Sequence, residues 1–299
     1  MPELPEVEAL RLGLVPRLVG STINKVQVLN TKIVSSSGTT RIPNIDKLNE
    51  FQTALIGLNI VDITRRAKNL MIRLDNQAVI VVHLKMTGQL VFEGNNNSSK
   101  VVGGHPIANS QADLPHKHTY IIFELDNGKL YYNDVRQFGY VLYYPSYDEF
   151  LSTDHFNNLG VEPLSDDFQL KDFQKRLKNK NSPIKTILLN QSVVVGCGNI
   201  YADESCFASG ILPTRLASSL TQKEVSKLYS EIKRILQLAV DSGGSSIANY
   251  LLADGSRGNY ADNHLVYGKK NQKCSICGNL LSDIKLAGRT TIFCTHCQC

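Results

Sequence analysis

The chain has 299 residues, of which 42% are hydrophobic, and this is enough apolar material for one large domain or two smaller ones. No apolar run approaches the ~20 residues that a transmembrane helix needs, and no secretory leader opens the chain, so we expect a cytoplasmic protein without membrane contact. The formal charge of +5 and the isoelectric point near 8.7 favour a polyanionic partner only weakly, because many basic proteins have none.

The chain opens with Met-Pro-Glu-Leu-Pro-Glu-Val-Glu. Once Met1 is removed, Pro2 is an N-terminal secondary amine. An α-amino group titrates well below a lysine, so it can attack an aldehyde-level carbon and form an iminium. Glu3 and Glu6 add two carboxylates beside this amine, as acid–base catalysis requires. The same residues also suit the first turn of a helix, and the pattern alone does not choose between the two interpretations.

Hydrophobic periodicity predicts the elements of the first half. Apolar residues recur at helical spacing over 7–18, which predicts an amphipathic helix that Pro16 should kink or restart. Strand-like runs follow at 23–29, 58–64, 70–74, 78–84, 120–125, 129–134 and 140–144. Short turns join several of these runs and few helices separate them, so we expect an antiparallel β-sandwich or a partly open barrel.

Two polar stretches interrupt this pattern. Residues 93–115 lack apolar periodicity and predict a long loop that is either mobile or functional. Residues 145–165 combine proline and serine with an acidic, asparagine-rich passage and predict a linker or hinge. The predicted fold class is α+β, with a β-rich catalytic domain at 1–144, a helical domain at 166–265 and a hairpin at 266–299.

Helices dominate the second half. Proline at 183 predicts the start of a helix over 183–190. A second helix is expected from Asn199, as its cap, to about Ser209, with a glycine behind it. Thr221 and Glu224 form a capping box ahead of the clearest apolar stripe in the chain, and this stripe predicts core packing without further function.

The turn Gly196-Cys197-Gly198 leads directly into the second of these helices. Backbone N–H groups at a helix start lie at the positive end of its dipole and form a ready site for phosphate. The basic residues Lys180 and Lys185 precede this turn, so it favours nucleic acid as a partner. A glycine turn between helices is more commonly only a turn, and the turn by itself does not decide the matter.

Four of the seven cysteines form two Cys-x-x-Cys pairs separated by sixteen residues. They are Cys274 with Cys277 and Cys294 with Cys297. Strand-like runs at 280–286 and 290–293 predict a hairpin that brings the pairs together. Four thiolates leave no open position for water, so we expect one structural Zn²⁺ whose hairpin presents Arg289 at its tip. In an alternative interpretation the hairpin is a ribbon that serves only protein interaction, and Arg289 is merely solvated.

Six motifs follow one another from the first residue to the last. They are Met-Pro-Glu-Leu-Pro-Glu-Val-Glu at 1–8, Arg65-Arg66-Ala67-Lys68-Asn69-Leu70, His83-Leu84-Lys85-Met86-Thr87-Gly88, Asp134-Val135-Arg136-Gln137-Phe138-Gly139, Val195-Gly196-Cys197-Gly198-Asn199-Ile200-Tyr201-Ala202 and the cysteine hairpin. This series resembles bacterial formamidopyrimidine-DNA glycosylase, the family that removes 8-oxoguanine and ring-opened purines. The sister family, endonuclease VIII, acts on oxidised pyrimidines and has glycine where this chain has Leu4, so the purine-lesion branch is favoured.

The resemblance implies a bifunctional glycosylase and abasic-site lyase of base excision repair. Pro2 matches the nucleophile that attacks C1′, and Glu3 matches the general acid that assists sugar opening and base departure. Glu6 matches a supporting position. In the family Lys68 is assigned to the first elimination, at the 3′ phosphate, and Arg289 to the second, on the 5′ side. Either cation would also stabilise phosphate charge.

The resemblance also implies how damaged DNA is held, because the damaged base must leave the stack. Met86, Arg136 and Phe138 match the residues that fill the resulting gap. The DNA contacts that it implies are His116, Arg136, Lys180 and Asn199. The helices around the glycine turn match a helix-two-turn-helix element. We therefore expect a monomer in the bacterial cytoplasm, at the nucleoid, that binds double-stranded DNA with oxidised purines or abasic sites in a basic cleft between its domains.

Two departures from the family pattern bear on specificity. Ser256-Arg257 stand where the base-capping loop of the family often has Lys-Pro, so the role of that lysine is not carried over, and the 93–115 loop looks longer than in the family.

The sequence leaves two alternative functions. An endonuclease VIII-like pyrimidine-lesion glycosylase would differ in the base that it releases. A zinc-ribbon DNA-binding protein without catalysis would keep every activity after Pro2→Gly.

Overall fold

The computed structural model describes residues 1–37, 40–95, 100–104, 114–245 and 258–299. The chain divides into two compact units. The first comprises Met1–Pro2, Glu6–Asn157 and Gly243–Gly258, and the second comprises Glu3–Pro5, Asn158–Ser242 and Asn259–Cys299. Each unit has its own hydrophobic core.

Two antiparallel sheets form the framework of the first unit. Its strands are β1 (Ile23–Val28), β2 (Ser36–Ser37), β3 (Thr40–Arg41), β4 (Ile60–Arg66), β5 (Asn69–Leu74), β6 (Val79–His83), β7 (Gly88–Gly94), β8 (Lys100–Gly104), β9 (Thr119–Leu125), β10 (Gly128–Asp134) and β11 (Tyr140–Tyr144). One sheet has the order β1-β9-β10-β7-β8 and the other has the order β11-β6-β5-β4. The short strands β2 and β3 pair with each other.

Side chains from both sheets pack into one core. Phe92 and Phe123 come from the five-stranded sheet and Ile72 and Ile80 from the four-stranded sheet, and all four are buried in the same cluster. Alternating residues of each strand point to this side because successive side chains of a strand face opposite ways. Burying one such side chain stabilises the fold by ~1.5–3 kcal/mol. The expected antiparallel sandwich is confirmed.

Four helices are described in the N-terminal part of the chain. They are α1 (Leu4–Leu18), α2 (Ile45–Thr53), α3 (Tyr147–Ser152) and α4 (Asp154–Asn157). Of the two outcomes predicted for Pro16, a kink or a restart of the helix, the restart is wrong, because α1 runs through Pro16 without a break. Proline lacks the N–H that would bond four residues back, but α1 ends two residues later, so only its last turn is affected. The Arg17 guanidinium donates to the Gly13 carbonyl in this turn (2.7 Å).

The second unit is mostly helical and ends in a hairpin. Its helices are α5 (Leu170–Leu177), α6 (Ile184–Leu189), α7 (Asn199–Ser209) and α8 (Gln222–Asp241), and its hairpin strands are β12 (Ser282–Leu286) and β13 (Arg289–Phe293). The capping box at the start of α8 is confirmed, since Thr221 and Glu224 bond each other's backbone. The buried stripe of α8 packs into the core of this unit. Gly210 ends α7 in the left-handed conformation (φ 77°), as predicted.

Two stretches that were predicted to lack regular structure contain some. Within the predicted loop at 93–115 the structure places β8, which pairs with β7, while residues 96–99 and 105–113 lie outside the described residues. Within the predicted linker at 145–165 it places α3 and α4. The domain boundaries themselves stay predictions. Within the described ranges, no helix has both the length and the apolar character to cross a membrane.

Candidate active site and zinc centre

Glu3 lies at the N-terminus of α7. Its side chain is only 4% exposed, and its Oε1 accepts a hydrogen bond from the Ile200 N–H (3.1 Å). The Tyr201 N–H lies 3.5 Å from Oε2, longer than an ordinary bond. The first N–H groups of a helix have no partner within it and attract negative charge. The carboxylate of Glu3 therefore has a fixed position at the positive end of α7.

Two of the donors that the sequence offered to phosphate at the glycine turn have protein partners in the structure. The N–H of Ile200 bonds Glu3, and the Gly196 N–H bonds the Gln191 side chain (2.8 Å), so these donors are already satisfied. Asn199 is the first residue of α7, and its cap position is taken by Gly198. The Asn199 side chain instead donates to the Thr290 carbonyl on β13 (3.1 Å).

Both glycines of the turn are required by close packing. A Cβ at Gly198 would lie 2.3 Å from the Glu3 side chain, and a Cβ at Gly196 would lie 2.5 Å from Leu4. Gly196 also has a left-handed backbone (φ 78°), which favours glycine. The Leu4 N–H donates to the Gly196 carbonyl (3.0 Å). The turn therefore fixes both the backbone and the side chains at 3–4.

Pro2 and Glu6 belong to the first unit. Pro2 is buried, and Met1 ahead of it is exposed. The Glu6 carboxylate is buried and accepts a hydrogen bond from the Ser245 N–H (2.8 Å). Gly244, just before it, has a left-handed backbone, and a Cβ there would lie 2.9 Å from the Glu6 carboxylate. Glu6 thus fixes the backbone directly ahead of 246–257, which lie outside the described residues and include Ser256-Arg257.

Lys68 lies in the tight turn between β4 and β5, and it is only 6% exposed. Ala67 in this turn has a left-handed backbone (φ 55°). The Arg65 guanidinium donates to the Ala67 carbonyl (3.0 Å) and pairs with Glu8 of α1 (2.9 Å). Because one guanidinium bonds both the turn and α1, the backbone beside Lys68 is held against the helix.

The predicted gap-filling side chains lie at one end of the five-stranded sheet. Met86 is 42% exposed just before β7, and Phe138 is 46% exposed just after β10. Arg136 is exposed, and its guanidinium carbon lies 4.5 Å from the centre of the Phe138 ring, a cation–π distance. His116 is half-buried, and its backbone N–H donates to the Thr119 hydroxyl at the start of β9 (3.0 Å).

The four predicted metal ligands form a compact cluster. The Sγ atoms of Cys274 and Cys297 are 3.8 Å apart, those of Cys277 and Cys294 are 3.5 Å apart, and all four lie within 4.8 Å of one another. Four sulfurs placed ~2.3 Å from one Zn²⁺ in a tetrahedron lie ~3.8 Å from each other. The donor set therefore fits one zinc ion without rearrangement.

Arg289 lies at the tip of the zinc hairpin and is exposed. The sequence placed it in the turn, but it is the first residue of β13 and pairs with Leu286. The turn consists of Ala287 and Gly288, both with positive φ (49° and 73°). A two-residue turn of this kind matches the twist of the strands and lets the next side chain project from the hairpin.

Lys185 does not serve as a surface cation. Its side chain is fully buried, and its Nζ lies 2.7 Å from Oδ1 of the buried Asp203 on α7. Lys185 also donates to the Thr291 hydroxyl (2.8 Å), and Asp203 accepts from the Ile292 N–H (3.2 Å). Burial raises the pKa of Asp203 to about 7, against the opposing effect of Lys185. The pair connects α6 and α7 to β13, whereas the side chain of Lys180 is exposed.

Comparison with known proteins covers the whole chain. The Formamidopyrimidine-DNA glycosylase N-terminal domain matches residues 1–141, its H2TH domain matches 159–250, and the zinc finger found in FPG and IleRS matches 271–298. The Formamidopyrimidine-DNA glycosylase of Wolbachia pipientis is 39% identical over 301 residues, covering 100% of both chains. The chain belongs to the formamidopyrimidine-DNA glycosylase family.

Solved structures of this family have the same fold. A point mutant of Lactococcus lactis FPG in complex with DNA containing Fapy-dG has a TM-score of 0.85 at 32% identity, over 99% of each chain. The L. lactis Fpg complex with DNA containing an abasic site also has a TM-score of 0.85, at 33% identity and the same coverage. The helix-two-turn-helix region and the zinc finger, predicted in the second half, are confirmed by these matches.

Sequence reasoning missed three polar residues of this glycosylase-family chain, of which Asp203 and Glu204 are buried and Tyr267 is half-buried. Burial raises the pKa of Tyr267 and the charge of Glu3 adds to the rise, while a hydrogen bond with Asn199 and the charge of Arg289 oppose it. No periodicity marks this tyrosine. Asp203 and Glu204 were the more visible signal, since two acids in the apolar run of α7 indicate buried carboxylates.

Glu204 fixes the chain ahead of the zinc finger. Its carboxylate accepts hydrogen bonds from three successive backbone N–H groups, those of Leu265, Val266 and Tyr267, at 2.7–2.9 Å. Burial raises the pKa of Glu204, and these three bonds oppose the rise. The segment that includes Tyr267 is thereby fixed to α7.

His264, directly before this segment, is buried, and we expect it to make the stability of the fold depend on pH. Its ring lies 5.7 Å from that of Tyr260 and 5.6 Å from that of Tyr267, and burial lowers its pKa from 6.5 to about 4. Between these values the unfolded chain binds a proton that the folded chain excludes, so stability falls as the pH falls from 6.5 to 4. The full effect is about 3 kcal/mol.

His264→Phe should remove this share of the acid sensitivity. We expect the free energy of unfolding, measured with urea on zinc-loaded protein, to fall less between pH 7.5 and 4.5 in the variant than in the parent chain. Protonation of the zinc thiolates affects both proteins equally and cancels in the comparison. Parallel pH curves for the two proteins would contradict the assignment.

Proposed function

We propose that this protein excises oxidised purines, 8-oxoguanine and formamidopyrimidines, from double-stranded DNA and then cleaves the strand at the abasic site. The observation that carries the proposal is the position of Glu3. A buried carboxylate, fixed by the N-terminus of α7, directly follows the residue that becomes a secondary amine when Met1 is removed. The full-length family match supports the same chemistry.

Pro2 is the nucleophile in this proposal. Its amine attacks C1′ of the damaged nucleotide, and the base leaves with the electron pair of the glycosidic bond. Glu3 transfers the proton lost by the amine to the ring oxygen of the sugar, which opens and leaves an iminium between Pro2 and C1′. The iminium acidifies the C2′ proton, so loss of that proton expels the 3′ phosphate. A second elimination expels the 5′ phosphate.

Two cations assist these eliminations. Lys68 is buried in a turn whose backbone is hydrogen-bonded by Arg65. Such a fixed position suits a group that donates a proton or contacts a phosphate. Arg289 has an exposed side chain at the tip of the zinc hairpin, which suits contact with a phosphate of the DNA backbone. Glu6 supports the site by fixing the backbone at Ser245.

The remaining site residues hold the DNA. Met86, Arg136 and Phe138 fill the gap that the displaced base leaves, since a thioether, a guanidinium and an aromatic ring all suit stacking against bases. The further DNA contacts are His116, Arg136, Lys180 and Asn199. Zinc is structural and supplies no chemistry to the reaction; the four thiolates fix the hairpin.

Domain limits and assembly complete the proposal. We place the catalytic domain at 1–144, the hinge at 145–165, the helix-two-turn-helix domain at 166–265 and the zinc finger at 266–299. The protein acts as a monomer on chromosomal DNA in the bacterial cytoplasm.

Trapping with borohydride tests the function directly. Purified protein without Met1 is incubated with a duplex that carries 8-oxoguanine opposite cytosine, and borohydride reduces any iminium to a stable amine. We expect a covalent adduct whose peptide map places the sugar on the nitrogen of Pro2. The same protein with Met1 retained is the matched control, because an acylated nitrogen is not nucleophilic, and it should give no adduct.

A second duplex separates the related functions. If a duplex with an oxidised pyrimidine is trapped and the 8-oxoguanine duplex is not, the pyrimidine-lesion branch is correct. Absence of an adduct with both duplexes, from zinc-loaded protein that has lost Met1, contradicts catalysis and supports a DNA-binding protein.

A further inference from the structure

The two loops that carry the gap-filling side chains meet at one register position of the five-stranded sheet. β7 and β10 are antiparallel neighbours, and Gly88 at the start of β7 pairs with Asp134 at the end of β10. Thr87 and Met86 therefore precede one strand at the point where Arg136 and Phe138 follow the other. The strand pairing brings two loops together that are about fifty positions apart in the sequence.

The side chain of Asp134 connects these loops. It is fully buried, and its Oδ1 accepts a short hydrogen bond from the Thr87 hydroxyl and another from the Arg136 N–H (3.2 Å). Its Oδ2 accepts from the Gly139 N–H (2.7 Å). The Thr87 hydroxyl is itself 3.0 Å from the Arg136 N–H. One carboxylate thus bonds the residue after Met86 and both ends of the segment 136–139.

The surroundings of this carboxylate are closely packed. A Cβ at Gly139 would lie 1.8 Å from the Tyr132 hydroxyl and 3.0 Å from Oδ2 of Asp134, so only glycine fits there. The Tyr132 hydroxyl lies 3.4 Å from the same Oδ2. These groups around Asp134 all donate to it, and a carboxylate is the side chain that only accepts. An amide of the same shape would direct an N–H at one of these donors.

We propose that Asp134 is a positioning residue that couples Met86 to Arg136 and Phe138, so that the three side chains enter the duplex as one rigid body. The inference rests on the proposed function. A base that leaves the stack exposes its partner and the neighbouring base faces at the same moment, so the filling groups act only if they are placed together. Independent movement of the two loops would misplace one group by about 1 Å, which costs ~100-fold in rate.

Two variants break the coupling at different points. Asp134→Asn replaces an acceptor by a donor, and we expect single-turnover excision of 8-oxoguanine opposite cytosine to fall ~100-fold. Thr87→Val removes only the hydroxyl that joins the Met86 loop, and we expect a loss of about tenfold. Thr87→Ser keeps the hydroxyl and should restore excision to within about twofold of the parent rate. Asp126→Asn, in the exposed turn before β10, is the control for loss of an acidic charge.

The decisive measurement changes the DNA and leaves the protein unchanged. When 8-oxoguanine lies opposite an abasic spacer, no partner base needs support, so the defect of Asp134→Asn should shrink to about threefold or less. A general structural defect would lower excision equally on both duplexes, and this outcome would overturn the inference. Parent-like excision by both Asp134→Asn and Thr87→Val would overturn it as well.

The inference and the proposed function fail in different ways. If the parent chain neither excises 8-oxoguanine nor forms the Pro2 adduct, the proposed function is wrong. If the parent chain does both and the variants match it, only the coupling role of Asp134 is wrong. Should Asp134→Asn fail to fold, the comparison of Thr87→Val with Thr87→Ser on the two duplexes gives the same decision.

Discussion

Gly198→Ala should remove most base excision while the protein stays folded. The new Cβ would lie 2.3 Å from the carboxyl carbon of Glu3 and 2.4 and 2.8 Å from its oxygens, so the carboxylate must leave the N-terminus of α7. The backbone of Gly198 is extended (φ −135°, ψ −152°), a conformation that alanine adopts freely. The loss therefore arises from the displaced carboxylate, and a shift of about 1 Å costs ~100-fold in rate.

The measurement is single-turnover excision of 8-oxoguanine, with the unfolding midpoint recorded for each protein. Glu3→Gln keeps the size of the side chain but cannot transfer a proton, and we expect a loss of ~100- to 10,000-fold. If Gly198→Ala acts through Glu3, the double variant loses no more than the worse single variant. Additive losses would show that the alanine acts elsewhere, and a fully active Gly198→Ala would contradict the role given to Glu3.

Cys294→Ala should abolish stoichiometric zinc binding and DNA binding together. Cys294 is fully buried, and three thiolates cannot close a tetrahedral site. Structural zinc contributes about 10 kcal/mol or more to the folding of small zinc domains, so β12 and β13 should unfold without it. Loss of β13 also removes the Thr291 and Ile292 partners of Lys185 and Asp203. A broken buried ion network costs ~3–5 kcal/mol, so the damage should extend to α6 and α7.

Zinc content, the unfolding midpoint and binding to DNA with an abasic-site analogue measure the three parts of this prediction. Cys299→Ala is the matched control, because Cys299 is exposed and lies outside the four-sulfur cluster. It should keep one zinc per chain and parent-like binding. Retention of stoichiometric zinc by Cys294→Ala would show that another residue completes the site and would contradict the assigned ligand set.

Local patterns predicted the elements whose signals are local. The capping box and stripe of α8, the cysteine pairs and most strands of both sheets follow from residues within about twenty positions of each other. β7 and β8 of the five-stranded sheet were missed. The Val-Val-Gly-Gly stretch of β8 lies in a polar run, and a Cβ at Gly103 would lie 2.0 Å from the Leu10 side chain of α1. The periodicity of a strand does not reveal a contact with a helix that is distant in the sequence.

The residues of the candidate site also divide into those with a local sequence signal and those whose partners are distant in the chain. Chemistry and motif predicted Pro2, Glu3 and the thiolate cluster, but the partner of Glu3 is 197 positions away, so the pattern could not show that the Ile200 N–H bonds Glu3. Lys185 looked like a surface cation because the sequence does not show that Asp203 lies beside it. Asp134 was only a motif residue until the strand pairing placed Thr87 against it.

The hydrogen bonds that tie residues 3 and 4 to residues 196 and 200 have a consequence for biosynthesis. A ribosome adds ~5–20 residues per second, so Pro2 and Glu3 emerge ~10–40 seconds before the helix that orients them. We expect the removal of Met1, on which the proposed chemistry depends, to take place during this interval. Glu3 and Leu4 acquire these bonds only after the second half is made, so truncated chains that end before Gly196 should lack the fixed Glu3 carboxylate that the proposed reaction needs.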